Sequence, residues 1–410
     1  MTPALDPRSA RVLVVLPIVL AMLSMIGPFS IDTPFPAFDQ MRDEFEVEAG
    51  QLQLVVTVYM LSFAAMSIFH GPLSDALGRR PVIIGSVSVY VVASVGCALA
   101  PSLGWLLVGR AVQGLSAGGS TIVSRTVIRD VFDGPQAQRL MSRVAMIFGL
   151  APAIAPIVGG GLLQLGPWHL VFWFMGVLGL VLVAATLFVL PETHPPSARV
   201  PLRVGEILRG IGEVVRQPAF HRVAWASTFV FGAQFLYIGG AAIFVVDVLG
   251  EGELDFWKLF VPMIGAMVLG SWVSGRTAGI VEPVRLVTLG FAVALVGASV
   301  GVAVSLTGLG NELPWAVVGV TALAFGNGLG YPILQLMMLD LLPMRRGAMM
   351  SGATFVTLVF NAMVAVAVTP YVGSSALGFS LTALALVVLG ALCWAWHRRA
   401  LARGTVPQLV

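Results

Sequence analysis

Long apolar stretches alternate with short polar ones along the whole chain. Runs long enough to cross about 30 Å of hydrocarbon fall at 12–37, 51–71, 81–101, 103–126, 139–164 and 167–190. After a polar break they resume at 220–246, 257–279, 284–307, 313–341, 347–371 and 375–396. This pattern predicts an all-α membrane protein with twelve transmembrane helices, arranged as two six-helix bundles at 1–190 and 219–410. The segment 191–218 between them opens as loop, "PETHPPSARVP", and continues as "GEILRGIGEVVRQ". There Ile207, Leu208, Ile211, Val214 and Val215 share one helical face, opposite Glu206, Arg209, Glu213 and Arg216. Such a segment is expected to lie on a membrane surface as a short amphipathic helix.

Charge gives the pattern a direction. In the tails and connecting segments and at the span ends beside them, Arg8, Arg11, Arg79, Arg80, Arg125, Arg129, Arg139, Arg143, Arg199, Arg203, Arg209, Arg216, Arg222, Arg276, Arg285, Arg345, Arg346 and the C-terminal Arg398, Arg399 and Arg403 fall on one side. The opposite loops hold Arg42 and Lys258 beside the acidic runs "DEFEVE" and "EGELD". The positive-inside rule then puts both termini in the cytoplasm. The residue content is 58% hydrophobic and 10% charged. A soluble domain carries about 25% charge, so a soluble enzyme is excluded. Cys97 and Cys393, the two cysteines, lie in apolar runs and suggest neither a disulfide framework nor a metal cluster. Arg8 and Arg11 precede an apolar run too long for a signal-peptide core, so a retained first helix is expected.

Two charges fall well inside predicted spans, Asp32 and Arg110. A carboxylate in hydrocarbon costs about 2.5–3.5 kcal/mol even on lenient insertion scales. Asp32 lies about 10 Å below Asp39 and Arg110 about 12 Å below Ser102, at 1.5 Å per helical residue. Equal depth predicts that the two face each other or share an aqueous cavity. Either they form a permanent salt bridge, or Asp32 is a protonation switch whose state depends on its distance from the guanidinium. Pro28, Pro34 and Pro36 weaken the helix around the carboxylate and let that side flex.

Other polar residues recur at helical spacing. Arg110, Gln113, Gly114, Ala117, Thr121 and Ser124 form one small and polar face, suited to a tight helix contact or to a wet cavity. Gln234 and Tyr237 interrupt the seventh span, Asn327, Tyr331 and Gln335 stand four apart in the tenth, and Asn361 falls within the eleventh. Interhelical hydrogen bonding and solute contact are both open to each of them.

"GPLSDALGRRP", Gly71 to Pro81, resembles the signature loop of the major facilitator superfamily, G-x-L-[SA]-D-x-x-G-R-[RK]. In that loop Gly71 and Gly78 allow a tight turn, Asp75 can meet a helix N-terminus or an arginine, and Arg79 and Arg80 fix orientation. "RAVQGLSAGG", Arg110 to Gly119, resembles the family's fourth-helix motif R-x-x-Q-G, which implies a role in proton transfer for Arg110 and Gln113. "GLAPAIAPIVGG", Gly149 to Gly160, resembles the exporter-associated motif of the fifth helix, with Ala155 where glycine is usual. Pro152, Pro156, Gly159 and Gly160 would form a closely packed, kinkable hinge there. "SID…PAF", "RDVF", "APIVGG" and "PWHLVFW" are similar to the bicyclomycin/chloramphenicol-type (Bcr/CflA) drug:proton antiporters of the superfamily. Pro34 departs from that group, in which an aromatic follows two positions after the aspartate; Phe35 is the aromatic at hand.

The resemblance implies that spans one, four, seven and ten line a central cavity, and the mid-span polar residues fall largely in those spans. The residues expected to meet the solute are Phe35, Tyr59, Gln234, Tyr237, Asn327, Tyr331, Gln335 and Asn361. Gating is expected of Gly71, Asp75, Gly78, Arg79, Arg80, Pro152, Pro156, Gly159 and Gly160, with Asp75 opposite the start of the eleventh span near Arg345 and Arg346.

Other classes lack their chemistry. The single lysine, Lys258 in "DFWKLF", rules out a P-loop, and no H-E-x-x-H or four-fold acidic repeat occurs. The expectation is a monomeric exporter of lipophilic or amphipathic small molecules in a bacterial inner membrane. It would exchange them for protons by alternating access, with no cofactor and no nucleic-acid partner. The competing expectation is a proton-coupled transporter of another small solute, such as a sugar, amino acid or metabolite.

Overall fold

The computed structural model describes residues 15–404 except 202, 242, 253–254 and 373–374. Arg8 and Arg11, part of the charge argument above, lie outside the described residues. Every extended element is helical, and a lone bridge between Ala278 and Val281 is the one strand-like pairing among the described residues. The long helices are α1 (Leu16–Asp32), α2 (Leu54–Leu77), α3 (Arg79–Ala98), α4 (Leu103–Val131), α5 (Gly134–Leu163) and α6 (His169–Val189). After the linker helix α7 (Val204–Arg216) come α8 (Pro218–Gly239), α9 (Trp257–Arg276) and α10 (Pro283–Ser305). The last three are α11 (Trp315–Asp340), α12 (Arg346–Met363) and α13 (Ala376–Ala402).

Nine helical stretches of the described residues are long and apolar enough to cross a membrane. Three expected spans, α4, α8 and α12, form helices but are not among those nine. Their polarity explains this. The buried residues of α4 include Arg110, Gln113, Ser116, Ser120, Thr121, Ser124, Arg125 and Thr126. A helix can carry such a load in hydrocarbon where other helices cover it.

The chain divides into two compact units. One comprises residues 1–131, 150–214 and 343–355; the other comprises 132–149, 215–342 and 356–410. Relative to the two bundles expected from sequence, these units exchange the first half of α5 and the start of α12. The division crosses α5 between Gly149 and Leu150, just ahead of Pro152.

Within the first unit α4 is the hub, packing on α1, α2 and α3, while α6 packs on α1 and α3. The second unit repeats this scheme: α11 packs on α8, α9 and α10, and α13 packs on α8 and α10. Small residues permit these contacts. A Cβ added to Gly114 of α4 would lie 2.3 Å from the Tyr59 carbonyl oxygen, and one on Gly328 of α11 would lie 2.2 Å from that of Met267. Close backbone approach through small residues is how helices associate where lipid is as apolar as leucine.

Candidate functional site

Proline sets the geometry at the end of α1. The helix ends at Asp32, and Phe35–Ala37 forms a single 3₁₀ turn before a short helix, Phe38–Phe45. In a continuing helix the carbonyls of Ser30 and Asp32 would accept from residues 34 and 36. Both are prolines, which have no N–H, so both carbonyls are released from the ladder.

Arg110 takes the first of them. Its Nη2 donates to the Ser30 carbonyl oxygen at 3.0 Å, its Nε to the Val55 carbonyl oxygen at 2.9 Å, and its Nη1 to Gln113 Oε1 at 2.9 Å. The guanidinium carbon stands 4.3 Å from the centroid of the Tyr59 ring, a cation–π distance. Arg110, Gln113 and Tyr59 are fully buried. Gln113 Nε2 donates in turn to Ser94 Oγ at 2.7 Å, and Tyr59 Oη to the Gly27 carbonyl oxygen at 3.1 Å. One guanidinium thus ties α1, α2 and α4 together.

Of the two alternatives for Asp32 and Arg110, the permanent salt bridge is not formed. Asp32 is half-buried, and its carboxylate has no ion pair or hydrogen bond among the described residues. The physical reason is the released Ser30 carbonyl, which presents a fixed acceptor to the arginine two residues before the acid. The polar face of α4 likewise makes tight contacts: Ser124 Oγ bonds Ser24 Oγ at 2.8 Å, and a Cβ on Gly27 would lie 3.1 Å from Thr121 Oγ1. Past Asp32, α5 comes close. A Cβ on Gly159 would lie 2.2 Å from the Thr33 carbonyl oxygen, whereas one on Gly160 would meet open space. Pro152 and Pro156 both lie inside α5.

A second constellation lies at the α2–α3 turn, in the same unit. Asp75 is buried, and its oxygens accept from three donors. Oδ1 accepts from Arg79 Nη1 at 2.6 Å and from the Gly347 N–H at 3.2 Å, and Oδ2 accepts from the Ala348 N–H at 3.0 Å. The last two donors are free N–H groups in the first turn of α12, where the helix dipole favours a carboxylate. Arg79 Nε pairs with Asp130 Oδ2 at 2.9 Å, and Arg346 Nη1 with Asp130 Oδ1 at 3.0 Å. Arg345 pairs instead with Glu213 of α7. Asp75 is therefore opposite the start of α12, but it meets backbone rather than Arg345 or Arg346.

The glycines of the loop are sterically required. A Cβ on Gly71 would lie 1.7 Å from the Gly347 carbonyl oxygen, and the Gly71 N–H donates to Ser351 Oγ at 2.8 Å. Gly78 has φ +104°, a conformation open to glycine. Arg80 Nη2 caps the end of α6 through the Leu187 carbonyl oxygen at 2.7 Å.

The linker completes this turn, which the sequence did not suggest. Glu192 Oε1 accepts the Arg79 N–H at 2.9 Å at the first turn of α3. At the end of α2 the Asp75 carbonyl oxygen accepts from the Val200 N–H and from His194 Nε2, both at 3.1 Å. Residues 192–200 thus cap both helix ends. Burial, reinforced by the Arg79 guanidinium, holds the His194 imidazole below the usual histidine pKa.

Of the residues expected to meet solute, Phe35 is 40% exposed and packs on Phe38. Tyr59 instead serves Arg110. In the second unit Asn327 Nδ2 donates to Gln234 Oε1 at 2.8 Å, and Gln234 Nε2 contacts Met267 Sδ at 3.3 Å. Asn327 Oδ1, Gln335 Oε1 and Asn361 Oδ1 are buried without a hydrogen-bond partner among the described residues. Tyr331 is half-buried, its ring 5.5 Å from that of Phe231. Tyr237 is held elsewhere, buried against Phe379 of α13 and against Phe244 in the segment that follows α8.

Comparison with known proteins agrees with this architecture. The Major Facilitator Superfamily matches residues 20–368. The chain is 30% identical to the uncharacterized MFS-type transporter YdgK of Bacillus subtilis, over 69% of this chain and 71% of that one. It is also 30% identical to the bicyclomycin resistance protein homolog of Haemophilus influenzae, over 63% and 65% of the two chains. The crystal structure of the human organic anion transporter MFSD10 superposes with a TM-score of 0.75 at 17% identity, covering 94% of this chain and all of that one. The relatives are transporters rather than enzymes, and the chain is a multi-pass membrane protein that belongs to the major facilitator superfamily.

Proposed function

We propose that this transporter exports hydrophobic or amphipathic drug-like molecules in exchange for protons. The carrying observation is the Asp32 carboxylate, unpaired beside an arginine that is already satisfied by main-chain oxygens. A carboxylate without a counter-ion at membrane depth is a natural proton carrier, because neutralisation removes most of the cost of its burial. Release would follow when the end of α1 brings the acid to the guanidinium, with Pro34 and Pro36 leaving that segment free of helical hydrogen bonds. A proton entering a cell gains about 2.3 kcal/mol per 100 mV, which is the drive available for export.

Similarity to a bicyclomycin resistance homolog supports a drug-like solute. The three unpartnered amide oxygens of Asn327, Gln335 and Asn361 suit hydrogen-bond donors on an otherwise apolar molecule. The Asp75 network would form the cytoplasmic gate of an alternating-access cycle, and Pro152, Pro156 and Gly159 a hinge. In this scheme the two six-span halves are the rocking bodies, both termini are cytoplasmic, and a monomer suffices.

The test is dye and drug export from an efflux-deficient host, with and without an uncoupler, for the wild type and Asp32→Asn. Export that collapses on uncoupling and is absent in Asp32→Asn supports the reading, provided the variant still binds ligand. Full export by Asp32→Asn would remove the coupling role from that residue.

A further inference from the structure

We propose that the groove between α5 and α9 binds the phosphate headgroup of an anionic phospholipid. A cavity of about 550 Å³ opens there, within the second unit. It is lined by Arg139, Arg143 and Arg276, with Ser142, Trp272 and Gly275 among its other walls. None of the three guanidiniums makes an ion pair among the described residues. Arg139 reaches the Ala278 carbonyl oxygen at 3.2 Å, and Arg276 lies 5.4 Å from the Trp272 ring centroid. Ser142 is fully buried, and its Oγ has no hydrogen-bond partner among the described residues. Three uncompensated cations converging on one cavity with a spare hydroxyl define an anion site, and guanidinium forks suit phosphate oxygens.

The surrounding surface selects a lipid over a soluble phosphate. On α9, Val261, Leu269 and Trp272 are 60%, 52% and 47% exposed, and their spacing puts them on one helical stripe that ends at Arg276. Ile280, just past the helix, is 81% exposed. An acyl chain can lie along this stripe while the headgroup enters the cavity, and Trp272 stands where interfacial aromatics anchor. Basic pockets between helices at the arginine-rich side of a membrane protein recognise anionic headgroups in this way. Arg139 and Arg143 near the start of α5 and Arg276 at the end of α9 lie at the helix ends that the charge distribution assigns to the cytoplasm.

Native mass spectrometry of the delipidated full-length protein, titrated separately with phosphatidylglycerol and phosphatidylcholine, tests this without substrate or proton gradient. Its outcome is therefore independent of the export assay. The wild type should retain phosphatidylglycerol in preference to phosphatidylcholine. Each arginine near an anionic surface contributes about fivefold in affinity, so R143Q/R276Q should lose about 25-fold. Arg285, exposed and paired with Glu282 away from the cavity, provides the control R285Q, which should bind as the wild type does. Equal retention of the two lipids overturns the proposal, as does a loss in R285Q as large as in the double variant. Displacement of phosphatidylglycerol by equimolar glycerol 3-phosphate, which has the headgroup phosphate but no acyl chain, would overturn the assignment to lipid.

Discussion

Arg110 donates to the main-chain oxygen of Ser30 at 3.0 Å, an acceptor that the ring of Pro34 leaves without its helical donor. The proline two residues after the acid therefore decides where the arginine goes, and leaves Asp32 unpaired. Residue 34 already has helical backbone angles, φ −75° and ψ −15°. Pro34→Ala would restore an N–H with no change of backbone, and that N–H would compete for Ser30. We expect α1 to extend past Asp32 and the arginine to shift toward the acid. Proton-coupled export should fall about tenfold or more, since an ion pair of even 1.4 kcal/mol holds the site in one state. The check is export rate against external pH in Pro34→Ala and wild type; identical profiles would separate Pro34 from coupling.

Arg110→Lys probes the same centre from the other side. Three donors of one planar guanidinium reach Ser30, Val55 and Gln113, which lie on three helices. An ammonium keeps the charge but not the planar fork, so it leaves at least one of these buried acceptors short. The expected cost is about 1–3 kcal/mol of stability, from an unsatisfied buried polar group. Thermal unfolding of purified protein measures it. Charge alone is enough if Arg110→Lys melts and transports as the wild type does.

Asp75→Asn separates charge from shape at the α2–α3 turn. An asparagine oxygen can still accept one N–H of α12, but its amide cannot take the second N–H or balance Arg79. Charge-assisted bonds to a helix N-terminus are roughly twice as strong as neutral ones. The start of α12 should therefore undock more often. A cysteine introduced at Ser351, whose hydroxyl bonds Gly71 and the Ser67 carbonyl, should label faster with a thiol reagent in Asp75→Asn. Unchanged labelling would mean that Asp75 does not hold this contact.

Most of this architecture is legible in the hydrophobic pattern because each span must hide its own backbone polar groups as a helix. The signature loop was equally legible, since Gly71, Asp75, Gly78 and Arg79 are each demanded by local geometry. Pairings between side chains were less so. Nearly equal depth let Asp32 and Arg110 face each other or share a cavity, but it could not show that the guanidinium is already taken, because main-chain acceptors such as Ser30 and Val55 are invisible in a pattern of side chains. Pro34 was the available signal, because the carbonyl it frees lies four residues earlier. Tyr237 lies within about 60° of Gln234 around the same helix, three residues being about 300° of turn, so the spacing could not show that it packs on Phe244 and on Phe379 of α13. Glu192 and His194 read as ordinary linker because their partners are backbone groups more than a hundred residues away.

Steric predictions distinguish glycines that look alike in sequence. Gly71→Ala would place a methyl 1.7 Å from a carbonyl oxygen of Gly347, a backbone atom that cannot rotate away. It should abolish export and open the α12 contact as Asp75→Asn does. Gly160→Ala meets nothing within 4 Å and should transport normally, with helix stability raised by up to about 1 kcal/mol. Comparable export by the two variants would show that the close approach of Gly71 is dispensable.

His194 gives the linker a sensitivity to acid. Its Nε2–H donates to the Asp75 carbonyl oxygen, so the bonded form needs no second ring proton. Arg79, Asp75 and Asp130 act on it electrostatically, and Glu192 accepts its main-chain N–H while Arg199 reaches its carbonyl. Burial is the first cause of its lowered pKa and Arg79 the second, so the charged form is disfavoured in the folded protein. With the folded pKa depressed, the stabilising contribution is whole above the ordinary value of about 6.5 and is lost as pH falls through the folded one. His194→Gln retains an N–H donor but cannot titrate. As pH falls through and below the ordinary value of about 6.5, the melting temperature of the wild type should therefore fall more steeply than that of His194→Gln. Parallel curves would assign the acid sensitivity of the fold to other groups.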